Sequence, residues 1–226
     1  PQSPPSIFAL ADAVEVDGVP SPRIFSTGPG IELKPNARGG NYLAPSFGSL
    51  DEVREILRKY RDEYGTHLLK SYLLGNRQQR QWVVQASREL GMMPTTEGGA
   101  DTKANMTHAI DGFSGNEHAF PIAPIHDDLV QLIARSGIAY APTLVVSFGA
   151  ALPVYRLLAE KRPHEDPRYS QWFDSDKLYA QTQSRVLWFP PEAYNDRDVA
   201  QGARAILEAG GRVTLGGHGE AQGLSN

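Results

Sequence analysis

The sequence predicts an α/β protein on a parallel sheet, and it favours a (β/α)₈, TIM-type barrel over an open doubly wound sheet. Three observations carry this. Short apolar runs alternate with amphipathic helical segments, the pattern of a parallel sheet covered on both faces. An open nucleotide-binding sheet needs a glycine-rich turn that opens a helix after its first strand. Gly28-Pro29-Gly30 is the one candidate, and the coil after it starts no helix. Finally, Lys70, Glu97, His118 and His218 fall at or just past the ends of apolar runs, and in a barrel that end of the strands is the catalytic face.

The elements follow in order. Residues 1–48 are rich in Pro and Gly, with one short strand expected at 23–27. Ser49, with Glu52 three residues on, is a capping box, and Val53, Ile56, Leu57, Tyr60 and Tyr64 then repeat on one helical face. Residues 67–74 read as a buried strand. A helix over 77–90 turns Trp82, Val83, Ala86 and Leu90 inward and stops at Gly91, a glycine suited to the left-handed turn past a helix end. A strand at 92–96, a helix at 102–110 and a short strand at 116–119 come next. The helix over 127–136 points Leu129, Leu132 and Ile133 at the core, and a strand runs from 138 to 146. Residues 150–195 read as a loop-rich excursion over one end of the barrel. A helix over 196–209 buries Val199, Ala203, Ile206 and Leu207, and the last strand is 212–216. The whole chain, 1–226, is expected to be one barrel-type domain.

Composition bounds the function. The 226 residues are 40% hydrophobic and 21% charged, which suits a globular core. A net charge of −4 and a pI near 5.9 give no electrostatic case for nucleic acid or an anionic membrane. No apolar run is long enough to span a bilayer, and the Pro-rich start lacks the pattern of a secretory leader. Localisation stays open. With no Cys, disulfides and thiolate metal sites are excluded, so any metal must be held by His, a carboxylate or a modified Lys.

Four residues could carry chemistry. Lys70 lies inside an apolar run, where it is either a side chain reaching out to water or a catalytic or modified amine. Glu97 precedes Gly98-Gly99, and alone it reads as a loop carboxylate. His118 alone is more often a structural imidazole than a ligand. His218 sits among Gly216, Gly217 and Gly219. Recurring after successive strands, the four are aimed at one mouth of a barrel, which shifts the balance towards a site.

Several short motifs occur in series: Lys70-Ser71-Tyr72, Arg77-Gln78-Gln79-Arg80, Glu97-Gly98-Gly99, Asp111-Gly112-Phe113 with Glu117-His118-Ala119, Pro142-Thr143-Leu144-Val145-Val146, and Gly216-Gly217-His218-Gly219 with Gln222-Gly223-Leu224. In that order they resemble the amidohydrolase domain of imidazolonepropionase-like proteins, in the subgroup often fused to a TolB-like or tricorn-like propeller. The segment from Pro22 to Gly28 also resembles that subgroup's third strand. The resemblance implies a metal-dependent hydrolase of amide or peptide-like C–N bonds, with one or two divalent ions, commonly zinc. It implies that Lys70 is the lysine that is carboxylated to bridge two metals, and that Glu97, His118 and His218 stand where further ligands are expected. His218 takes the place of the usual Asp, and Glu220 is the carboxylate that could replace it as base. The family's first-strand His-x-His pair has no counterpart here. The resemblance therefore implies an incomplete barrel that lacks its first strands, a piece of a longer protein, weak in metal binding and inactive alone. The expected partner is a small-molecule or peptide-like substrate, and a homo-oligomer is compatible with the sequence. The competing reading is a degenerate barrel serving as a non-catalytic binding module.

Overall fold

A computed structural model describes residues 4–18, 20–31, 47–71, 75–146, 150–183 and 189–218. Along the chain the elements are α1 Pro4–Asp17, α2 Leu50–Glu63, β1 Leu68–Ser71, α3 Arg77–Glu89, β2 Met93–Glu97, α4 Thr102–Asp111, β3 Gly115–Glu117, α5 Asp127–Ser136, β4 Ala139–Ala141, α6 Pro153–Lys161, α7 Pro167–Ser170, α8 Ser175–Gln183, α9 Asp196–Glu208 and β5 Arg212–Val213. Contacts divide the chain into two compact units, Pro1–Glu97 with Asp111–Gly115, and Gly98–Ile110 with Asn116–Asn226.

In the first unit β1 and β2 pair in parallel, with Leu68 beside Met93 and Ser71 beside Thr96, and β2 is followed in the sheet by the start of β3. On the other side of β1, Ile31 makes an isolated parallel bridge to Ser71, and its N–H donates to the Lys70 carbonyl at 2.8 Å. Residues 23–27 form no strand. The Tyr60 hydroxyl donates to the Pro29 carbonyl at 2.7 Å and so ties the segment before Ile31 to α2. Helix α2 begins where its cap lies, with the Ser49 hydroxyl accepting from the Glu52 N–H. It buries Val53, Leu57 and Tyr60, and α3 buries Val83, Val84 and Ala86. Trp82 and Ile56 are only half-buried.

In the second unit the rest of β3 is followed by β4 and β5. β4 and β5 pair in parallel, with Ala139 beside Arg212. Helix α5 ends on Gly137 at φ 78°, a left-handed turn that glycine adopts without a Cβ clash. Helices α5 and α9 pack on each other. Ile206 is fully buried and Ile133 nearly so, each contributing roughly 1.5–3 kcal/mol through loss of apolar surface to water.

The outcome is an α/β protein with a parallel sheet, and several expectations need correction. Among the described residues the sheet has five strands and is not closed. Residues 4–17 form a helix, not coil, because Pro in a first turn lacks only an N–H that no helical partner would accept. The strands are shorter than their apolar runs: the one expected over 138–146 stops at Ala141, and the one over 212–216 stops at Val213. The excursion at 150–195 is largely helical, carrying α6, α7 and α8. Leu207, expected inward, is 60% exposed, and Leu132 is half-buried. Residues 72–74, the end of the strand expected over 67–74, lie outside the described residues. Among the described residues no helix is long and apolar enough to cross a membrane.

Candidate active site

The first unit places Lys70 and Glu97 together. Strand side chains alternate between faces, and the register sets Lys70 beside Thr95. Glu97, two residues beyond Thr95, therefore shares the face of Lys70. Lys70 Nζ lies 2.6 Å from Glu97 Oε2, with the two side chains 23% and 16% exposed. On the opposite face Leu69, Ser71, Pro94 and Thr96 are buried. The strand ends thus hold an ion pair half out of water, where Coulomb attraction is stronger than at an open surface.

The second unit places His118 and His218 together. Their ring centroids are 5.4 Å apart, with the planes tilted by 50°. His118 follows β3 directly and is buried, in a left-handed backbone conformation with φ 68°. Such a conformation is uncommon for a residue with a Cβ and persists where surroundings hold it. The surroundings are specific. The Gly98 N–H donates to the Glu117 carbonyl at 2.7 Å. A Cβ on Gly98 would come within 2.3 Å of that same oxygen, so only glycine fits there. The Asn116 amide donates to the carbonyls of Glu117 at 3.3 Å and His118 at 3.4 Å. With its amide nitrogen so used, Asn116 turns its Oδ1 towards His108 Nδ1, 3.3 Å away, and that nitrogen carries the proton. Asn105 completes the layer by bonding both the N–H and the carbonyl of Gly99.

Thr143, just after β4, is the second buried residue held left-handed, at φ 48°. A Cβ on Gly216 would stand 2.8 Å from Thr143 Oγ1, so the loop carrying His218 passes close to it. Nearby, Tyr140 is buried and stacks on Phe120, and its hydroxyl oxygen accepts from the Phe120 N–H. Burial pushes its phenol up to about 12.

The geometry of the histidines can be set against a metal. With metal–nitrogen bonds of about 2.1 Å and a tetrahedral angle, two imidazoles on one ion have ring centroids roughly 5 Å apart. The observed 5.4 Å fits that arrangement. Among the described residues no three side chains drawn from His, Asp and Glu gather at metal-binding distances. Glu220, the expected base, lies outside the described residues. Sequence reasoning missed Asn116, His108 and Thr143. Thr143 lay inside one of the recognised motifs, whereas nothing in the sequence marked the other two.

No family model and no curated protein matches the sequence. Solved structures do match. One is the bottromycin amidohydrolase, at 16% identity and a TM-score of 0.64, with 98% of this chain and 52% of that chain covered. A second is a Xaa-Pro dipeptidase with methionine in its active site, at 16% identity and a TM-score of 0.57, covering 97% of this chain and 53% of that one. A third is an ochratoxinase from A. niger, at 14% identity and a TM-score of 0.56, covering 93% of this chain and 49% of that one. The likeness is one of fold. This chain shares the α/β fold of amidohydrolase-type proteins, and it spans about half the length of the structures it matches.

Proposed function

We propose that this chain is part of a metal-dependent hydrolase that cleaves amide or peptide-like C–N bonds by attack of water, built on a (β/α)₈ barrel of the imidazolonepropionase-like kind. The observation that carries the reading is the His118–His218 pair, at the separation two imidazoles on one ion require and on residues that follow β3 and β5. The ordered motifs and the amidohydrolase-type fold of the similar structures support it.

In this proposal His118 and His218 bind a divalent ion, commonly zinc. Glu97, and Lys70 once carboxylated, are the further ligand candidates that the motif resemblance implies, and they stand together in the first unit. A bound ion of this kind polarises the scissile carbonyl and lowers the pKa of water. The chain's own residues do the rest. The layer of Asn116, His108 and Gly98 holds the backbone that aims His118. Burial of His118 limits water around it, which strengthens the electrostatic interactions a transition state needs. Glu220 takes the proton from the attacking water.

A second reading, a degenerate barrel that binds without catalysis, draws on the Lys70–Glu97 ion pair. A lysine whose side-chain nitrogen is engaged by a carboxylate has that nitrogen occupied by another partner than the carboxyl group that would bridge two metals. The test is hydrolysis of dipeptides, N-acyl amino acids and lactones by the full-length protein, with and without a chelator. Chelator-sensitive amide hydrolysis that falls at least a hundredfold in His118→Asn supports the hydrolase. Ligand binding with no turnover under any metal supports the second reading.

A further inference from the structure

A cleft of about 1080 Å³ lies in the second unit, on the loop after β3, on residues 150–151 after β4, and on the segment that leads into α9. In α/β sheets ligands bind outside the carboxyl ends of strands, and these segments belong to that end. Pro121, the first lining residue, is three positions past His118. The volume suits a small organic ligand.

The lining has two characters. Pro121, Ile122, Ala151, Phe189 and Tyr194 present apolar surface, whereas Glu192 and Asp198 present carboxylates. Among the described residues no Lys or Arg lines the cleft. Nearby, Arg156 is committed to Asp196 at 2.6 Å and to Glu160. Among the described residues no cation pairs with Glu192 or Asp198. Two helices begin here, α5 capped by His126 and α9 capped by Asn195, and neither cap side chain bonds its helix. Helix starts attract anions with about half a charge each. Each of these starts already carries two carboxylates, Asp127 and Asp128 on α5, and Asp196 and Asp198 on α9. The balance is negative. In addition, the Tyr194 hydroxyl and Asn195 Oδ1 are buried with no hydrogen-bond partner among the described residues.

We propose that this cleft is the substrate subsite that sets specificity, and that it takes an apolar group bearing an ammonium, such as the amine end of an aromatic or aliphatic amino acid derivative. Its role as a substrate subsite rests on the hydrolase reading, whereas its affinity for an apolar amine does not. The apolar walls take the body of the group, and Glu192 and Asp198 take its charge.

The experiment is calorimetric binding of phenethylamine and of 3-phenylpropionate, which have similar shape and opposite charge. The proposal expects the amine to bind at least about tenfold more tightly at low salt, with the preference shrinking as salt rises. Glu192→Gln and Asp198→Asn together should erase the preference. Glu192 is exposed, so its variant alone keeps the test free of folding effects and should reduce the preference in part. Equal or tighter binding of the propionate, or a preference unchanged in the double variant, overturns the proposal. Amine binding without amide hydrolysis by the full-length protein on any substrate would sink the hydrolase reading and leave the amine site standing.

Discussion

Replacing Asn116 by Ala tests the layer that holds His118. Asn116 is 1% exposed, and its side chain makes three bonds, to His108 Nδ1 at 3.3 Å and to the Glu117 and His118 carbonyls at 3.3 and 3.4 Å. These are long bonds, each worth about 0.5–1 kcal/mol net, and removing a buried partner costs about 1–3 kcal/mol through the desolvated groups left behind. The combined cost is about 2–4 kcal/mol. For a chain of this size that lowers the melting temperature by roughly 5–15 °C. The assay is urea unfolding followed by circular dichroism, with the slope unchanged so that the midpoint reports stability. A double-mutant cycle with His108→Ala should give a coupling of about 0.5–1.5 kcal/mol, because the two residues share one bond. A cost below about 0.5 kcal/mol for Asn116→Ala, or strictly additive single variants, would refute the claim that this network fixes the backbone at His118.

Other outcomes follow from the same geometry. Ile206→Ala should cost about 2–5 kcal/mol, because Ile206 is fully buried, whereas Leu207→Ala, at 60% exposed, should cost under about 0.5 kcal/mol; equal costs would show the helix face to be misassigned. Glu97→Gln and Lys70→Met should each destabilise by roughly 1–2 kcal/mol, and the double variant by less than their sum, because each single change strands a half-buried charge; additive costs would mean the ion pair is not formed. Tyr140 is held protonated by burial up to about 12. An unfolded tyrosine loses its proton near pH 10, so the unfolded state binds fewer protons above that pH and the Tyr140 contribution is lost between about pH 10 and 12. Alkaline unfolding should be delayed in Tyr140→Phe, and an identical profile for both proteins would contradict the assignment.

What the sequence reveals and what it conceals have physical reasons. Helices α2, α3, α5 and α9 are legible to within a residue or two because each carries an amphipathic period and a stop signal, as with Gly91 and Gly137. Strand ends are not legible from apolarity. The run from Ala139 to Val146 stays apolar while the backbone turns away at Thr143, and hydropathy does not register a positive φ. Helix α1 is hidden by two prolines that read as coil. Leu207 is misplaced because Ile206, its neighbour in sequence, takes the buried position about 100° around the helix. Lys70 and Glu97 stand out in the sequence because they fall at the ends of successive strands, whereas their pairing with each other is set by the strand register. Asn116 and His108 are not, since their roles depend on contacts that no local pattern encodes.

The claim that matters most is that His118 and His218 share one ion. A titration with Co²⁺ followed by its visible absorption reads this directly on the wild type and on His118→Asn and His218→Asn. The expected result is a ligand-field band typical of nitrogen coordination, with affinity falling at least tenfold in each variant. Unchanged affinity and spectrum in both variants would contradict it.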